Sequence, residues 1–81
     1  MKVFTLYDSK ACTYLQPYYA VTRGAGLRMI SDTLTDVDHH LRKHASDFTL
    51  FELGDFDQSS GKFDLYEVHE NLGLLQNLIM E

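Results

Sequence analysis

The chain reads as α+β: a small antiparallel sheet in the order β-β-α-β-β, one main helix packed across it and a short C-terminal helix. Three observations predict this. Two runs of β-branched and aromatic residues open the sequence, one stretch of helically spaced apolar residues follows, and a second pair of apolar runs is divided by turn residues. Consecutive strands joined by short turns usually pair, so the order implies antiparallel neighbours. At 81 residues the chain fits a single domain, 1–81, which buries only about 60% of the surface that its unfolded chain exposes.

Lys2 to Asp8 is rich in β-formers and stops at Asp8-Ser9, a pair suited to a turn. Thr13 to Val21 is a second aromatic run with Pro17 inside it, and proline cannot donate a ladder hydrogen bond, so this strand lies at an edge or bulges there. Leu27, Ile30, Leu34, Val37 and Leu41 then share one face of a helix. Thr22 stands at its N-cap, the helix is expected over Arg23 to Val37, and the same face continues through His40 to His44, with Arg42 and Lys43 suited to the dipole's negative end. Asp47 to Phe56 is a strand, and residues 57–61 turn into a further strand over Lys62 to Val68. Leu50 and Phe51 are adjacent, which predicts a central strand covered on both faces over part of its length. Asn71 to Met80 is apolar on nearly every side if helical, so the tail 71–81 is expected to seek a partner surface.

A hydrophobic fraction of 44%, with five Tyr and five Phe, supports one packed layer of helix on sheet and excludes a disordered chain. The lone Cys12 cannot form an internal disulfide, no segment has the pattern of a secretory signal, and a reducing cytoplasm is the expected setting. No apolar stretch approaches the roughly 18 to 20 residues that a membrane span needs. Net charge is −5, which argues against nucleic acid as a whole, yet its distribution is uneven. Residues 1–31 hold Lys2, Lys10, Arg23 and Arg28 against Asp8 alone, a surplus of +3, while residues 32–81 hold three basic and eleven acidic residues, −8. Such asymmetry allows a locally positive face on an acidic protein, though an ordinary solvated surface has the same composition.

Asp36, His40 and His44 have the helical spacing of metal ligands, but no Cys-x-x-Cys or His-Glu-x-x-His accompanies them, and with His39 they read as solvated or helix-end histidines. Asp55 to Ser59 resembles the start of a calcium loop and fails it, with Ser60 at the glycine position and Tyr66 at the bidentate glutamate position. Neither a metal nor a cofactor is expected. Arg23-Gly24-Ala25-Gly26-Leu27-Arg28 opens a helix after a strand, where free N–H groups attract anions, although a tight strand-to-helix turn explains the same residues. Lys2 and Lys10 beside Tyr14 and Tyr18 match the stacking platforms of single-strand binders, against the plainer reading of core and edge packing. Cys12 with a histidine is the one conceivable nucleophile pair, with no positioned base or oxyanion donor, so no enzyme is expected.

Tyr7-Asp8-Ser9-Lys10, Tyr14-Leu15-Gln16-Pro17, Arg23-Gly24 with Arg28, Lys43-His44 and the run Asp47 to Asp57 carry a resemblance over residues 3–66. In these the chain resembles the small nonstructural protein of gokushovirus-type microviruses, icosahedral phages with single-stranded DNA genomes. Three departures stand out: Ala25-Gly26 where an acidic residue and alanine are usual, Ala45 where proline is frequent, and a tail beyond Val68 that matches poorly. The resemblance implies a role inside the infected bacterial cell, in single-stranded DNA synthesis or packaging. Joined to the charge layout, it predicts an accessory that touches single-stranded DNA through Lys2, Lys10, Tyr14, Tyr18, Arg23, Gly24 and Arg28. The alternative is an adaptor that binds the phage replication initiator, the procapsid or a host factor through the acidic half and apolar tail. A homodimer is expected from the thin core and the leucines between Leu72 and Leu78.

Overall fold

The computed structural model describes residues 1–79 and shows α+β architecture. Its elements are β1 (Lys2–Asp8), β2 (Thr13–Tyr14), β3 (Tyr18–Ala20), α1 (Arg23–Thr33), α2 (His40–Lys43), β4 (Phe48–Asp57), β5 (Lys62–Leu74) and a 3₁₀ turn at Leu75–Leu78. The strands form one antiparallel sheet in the order β2-β1-β4-β5, with β3 also on β1. Phe4, Leu6, Phe48 and Leu50 project from one face into a cluster with Ala20, Ile30, Leu34, Ala45 and Leu75. Both helices and the 3₁₀ turn pack on this face, through Leu27, Leu41 and Leu78.

The expected second strand, Thr13 to Val21, is two short strands. Tyr7 faces Tyr14 and Phe4 faces Tyr18, so one more residue lies between the pairs on the outer chain than on β1. Pro17 sits in that bulge, where no ladder donor is needed. The expected helix to Val37 stops at Thr33 because short polar side chains take over the local backbone. Thr35 Oγ1 donates to the Asp32 carbonyl at 2.7 Å, and Asp36 Oδ1 accepts from the Asp38 amide at 3.0 Å. Val37 is left 62% exposed. His39 Nδ1 then accepts from Leu41 N to open the four-residue α2, and Arg42 reaches back to the Leu34 carbonyl at 2.7 Å. A basic residue therefore does serve the end of α1, from the next helix.

β4 is central, as its apolar content predicts. Phe48, Leu50, Glu52 and Gly54 are buried in alternation, and the residues between them are half-buried. The largest correction concerns the C-terminus. β5 runs to Leu74 instead of Val68, and the expected helix from Asn71 is strand followed by a 3₁₀ turn. Gly73 adopts a φ of +109°, closed to a regular helix, and its amide donates to Asn71 Oδ1 at 2.8 Å. Leu75 is fully buried, and Gln76 N donates to the Ala45 carbonyl at 3.2 Å. The described part of the apolar tail thus packs on the protein's own core, with Leu75 inside it and Leu72, Leu78 and Ile79 partly buried against it. Met80 of the expected helix and Glu81 of the expected tail lie outside the described residues.

Candidate binding surface

Strand alternation divides the sheet into a face under the helices and a face without them. On the helix side, Glu52 is only 1% exposed, and it is held at every turn. Arg23 Nε donates to its Oε1 at 2.7 Å and Nη2 to its Oε2 at 3.3 Å, while the Tyr66 hydroxyl also donates to Oε2. Lys2 Nζ lies 3.1 Å from Asp55 and 3.3 Å from the Tyr66 oxygen. The Arg23 guanidinium holds the Glu52 carboxyl below its ordinary range although burial opposes this. The same contact raises Arg23, and Asp55 raises Lys2. Lys2 and Asp55 are cross-strand partners, so the pairing register itself brings these charges together.

The residues expected to contact DNA are not gathered on one patch. Lys2 and Arg23 are engaged by Asp55 and Glu52. Tyr18 stacks on Phe4 at 5.2 Å and donates its hydroxyl to the Gly26 carbonyl at 2.9 Å; burial pushes it up to about 12. It is a core residue. Gly24 lies in the first turn of α1, where an added Cβ would approach only Thr22 Oγ1, at 3.9 Å, so no backbone cradle requires it. The glycine that matters is Gly26, where a Cβ would stand 2.4 Å from two Phe4 ring atoms. Gly26 lets the helix sit on that ring, and the tight strand-to-helix turn is capped by Thr22 Oγ1 accepting from Ala25 N at 3.1 Å. Lys10, in the β1–β2 turn, lines a depression of about 390 Å³ shared with Asp8 and Asp47. Arg28 is exposed on α1, and neither it nor Lys10 forms an ion pair among the described residues.

Tyr14 alone of the seven reaches the helix-free face, and there it joins an arrangement that charge reasoning overlooked. Its ring lies 4.8 Å from Tyr7, 6.2 Å from Phe51 and 5.9 Å from His69. Farther along the sheet Phe56 lies 5.9 Å from Tyr19 and 4.9 Å from Phe63. Val3 and Thr5 are buried between these two groups, Thr5 Oγ1 donating to the Leu15 carbonyl at 2.7 Å. Tyr14, Phe63 and Leu65 are each about half exposed, at 50%, 53% and 54%. The signal for this platform was present in the alternation of Val3, Thr5 and Tyr7 and in Phe51 and Phe56, but which strands adjoin was not.

His40 and His44 lie 4.8 Å apart and His44 Nδ1 is 3.9 Å from Asp47, while no three His, Cys, Asp or Glu among the described residues are arranged to hold a metal. No described helix is long and apolar enough to cross a membrane.

A five-stranded antiparallel sheet, sealed by helices on one side and presenting aromatic rings on the other, defines a small α+β protein with a built surface. A family model described as "Phage ORF5 protein" matches residues 1–78, and the chain belongs to this phage family. That agrees with the small phage protein that the motifs resemble. No curated protein and no solved structure matches.

Proposed function

We propose that this phage protein is a non-enzymatic accessory that acts in the host cytoplasm by binding another protein through the helix-free face of its sheet. One observation carries the reading: the large exposed side chains of that face are aromatic and aliphatic, while two of the chain's cations, Lys2 and Arg23, are neutralised on the opposite side. Interface cores are enriched in Tyr and Phe and depleted of charge. Polyanion binding needs free cations, and a net charge of −5 opposes it. The partners that the resemblance suggests are the replication initiator, the procapsid or a host factor. Leu75 of the apolar tail belongs to the core, so the proposed interface is the sheet face and not that residue.

A second reading is kept by the same rings. Single-stranded DNA stacks on exposed aromatics, and Tyr14 with Tyr19 and Phe63 would offer such a platform, with Lys10 and Arg28 among the cations that form no ion pair among the described residues. Two double variants separate the readings. Tyr14→Ser with Phe63→Ser is expected to abolish recovery of the phage or host partner from infected cells, and Lys10→Glu with Arg28→Glu to leave it intact. Binding of a fluorescent oligothymidylate at about 50 mM salt that both variants weaken would replace the protein partner with DNA. Arg23 is unsuitable as a probe, because Arg23→Glu sets a second carboxylate against buried Glu52.

A further inference from the structure

β5 forms one edge of the sheet, and among the described residues its backbone pairs only with β4. The opposite edge is defended by strands of two and three residues and by the bulge at Pro17. β5 is 13 residues long and contains no proline. Its stretch Lys62–Leu65 pairs regularly with 54–57 and is exposed throughout; Lys62 N donates to Ser60 Oγ at 3.3 Å, and among the described residues the outer N–H and C=O groups beyond it have no further strand to pair with.

Side chains along this stretch alternate in character. Phe63 and Leu65 extend the aromatic row begun by Tyr19 and Phe56, while Asp64 points to the other side. Asp64 stands directly across from Asp55, a like-charge pair, and of the two carboxylates Lys2 bonds Asp55. Asp64 is exposed and makes no ion pair among the described residues. Beside it lies an open depression of about 460 Å³ lined by Asp55, Phe56, Phe63 and Asp64. Glu67 and Glu70 continue the acidic edge, so a second copy of β5 would bring like charges together. A strand added here would meet apolar, acidic and apolar positions in turn.

We propose that the free edge of β5 takes up, by strand addition, an extended basic segment of a partner protein in which apolar and basic side chains alternate. Main-chain hydrogen bonds would supply affinity, and the alternation of Phe63, Asp64 and Leu65 would supply selectivity. The inference rests on the reading that the chain binds protein, but it uses the sheet's edge, so the two can fail separately.

The test uses the whole chain and a fluorescent seven-residue peptide of alternating valine and lysine. Its control has the inner valines replaced by proline, keeping the charge but forbidding ladder bonds. The alternating peptide is expected to bind saturably and to slow amide exchange at 62–65, while the proline control does not. Asp64→Lys is expected to weaken binding about tenfold or more, equivalent to about 1.4 kcal/mol, and Tyr14→Ser to leave it unchanged. Equal binding of the control would reduce the effect to charge attraction and overturn strand addition. Failure of the alternating peptide to bind, or exchange protection elsewhere, would also overturn it. If partner recovery still depends on Tyr14 and Phe63 in that case, the helix-free face remains the binding surface and the edge alone is rejected.

Discussion

The two faces of the sheet use similar residues to opposite ends. Under the helices, the Phe4 ring is wholly buried against Tyr18 and Gly26, and the charges nearby, Arg23 on Glu52 and Lys2 on Asp55, answer one another. On the other face, Phe63 and Tyr14 have ring neighbours yet remain half exposed. A charge counted from sequence is therefore a poor guide to a binding surface when its partner stands on the next strand. The surface available to a ligand is the one that internal contacts have not used.

The sharpest break between the faces is expected in stability. Phe4→Ala removes a fully buried ring and is expected to cost about 3 to 5 kcal/mol in urea unfolding, whereas Phe63→Ala loses an exposed aromatic pair at about 1 kcal/mol. Equal costs would mean that the helix-free face is as much a core as the other. Within the first turns of α1 the same contrast is smaller. Gly26→Ala drives a methyl into the Phe4 ring and is expected to destabilise by about 1 to 3 kcal/mol. Gly24→Ala meets nothing closer than 3.9 Å and is expected to stabilise by about 0.5 to 1 kcal/mol through helix propensity.

Acid probes the helix side's ion pairs. Glu52 has a folded-state pKa below its ordinary 4.5, so its stabilising contribution is complete above that pH and is lost as pH falls through the folded value. Unfolding midpoints are expected to drop in that range, and Glu52→Gln, less stable at neutral pH, to show a flatter acid limb. An unchanged slope would remove Glu52 as the responsible group. The smallest effect belongs to the edge: Asp64→Asn relieves repulsion from Asp55 and is expected to stabilise by a few tenths of a kcal/mol.

Much of the fold was legible because it depends on neighbours in sequence. Lys2–Asp8 is the strand expected from its residues, Thr22 caps α1, and residues 57–61 turn between β4 and β5. Asp57 shows how local that turn is: hydrogen bonds from the Ser59 side chain and backbone hold its carboxyl down to about 2. The misread segments are those decided by single short polar or glycine residues, namely Thr35 and Asp36 after α1 and Gly73 within the leucine-rich tail. Helical periodicity ran through both, and backbone competition stopped it.

By itself, the sequence determined which segments are extended, where the main helix starts and that the class is α+β, since propensity, capping and turn chemistry act within a few residues. Register was beyond its reach. Only the folded sheet decided that Lys2 faces Asp55 and that Arg23 meets Glu52. It also decided that Tyr14 and Tyr18, which composition alone would group on one platform, part to opposite faces. Pairings between residues some 29 to 53 positions apart are fixed by packing the whole sheet against its helices, not by any local preference.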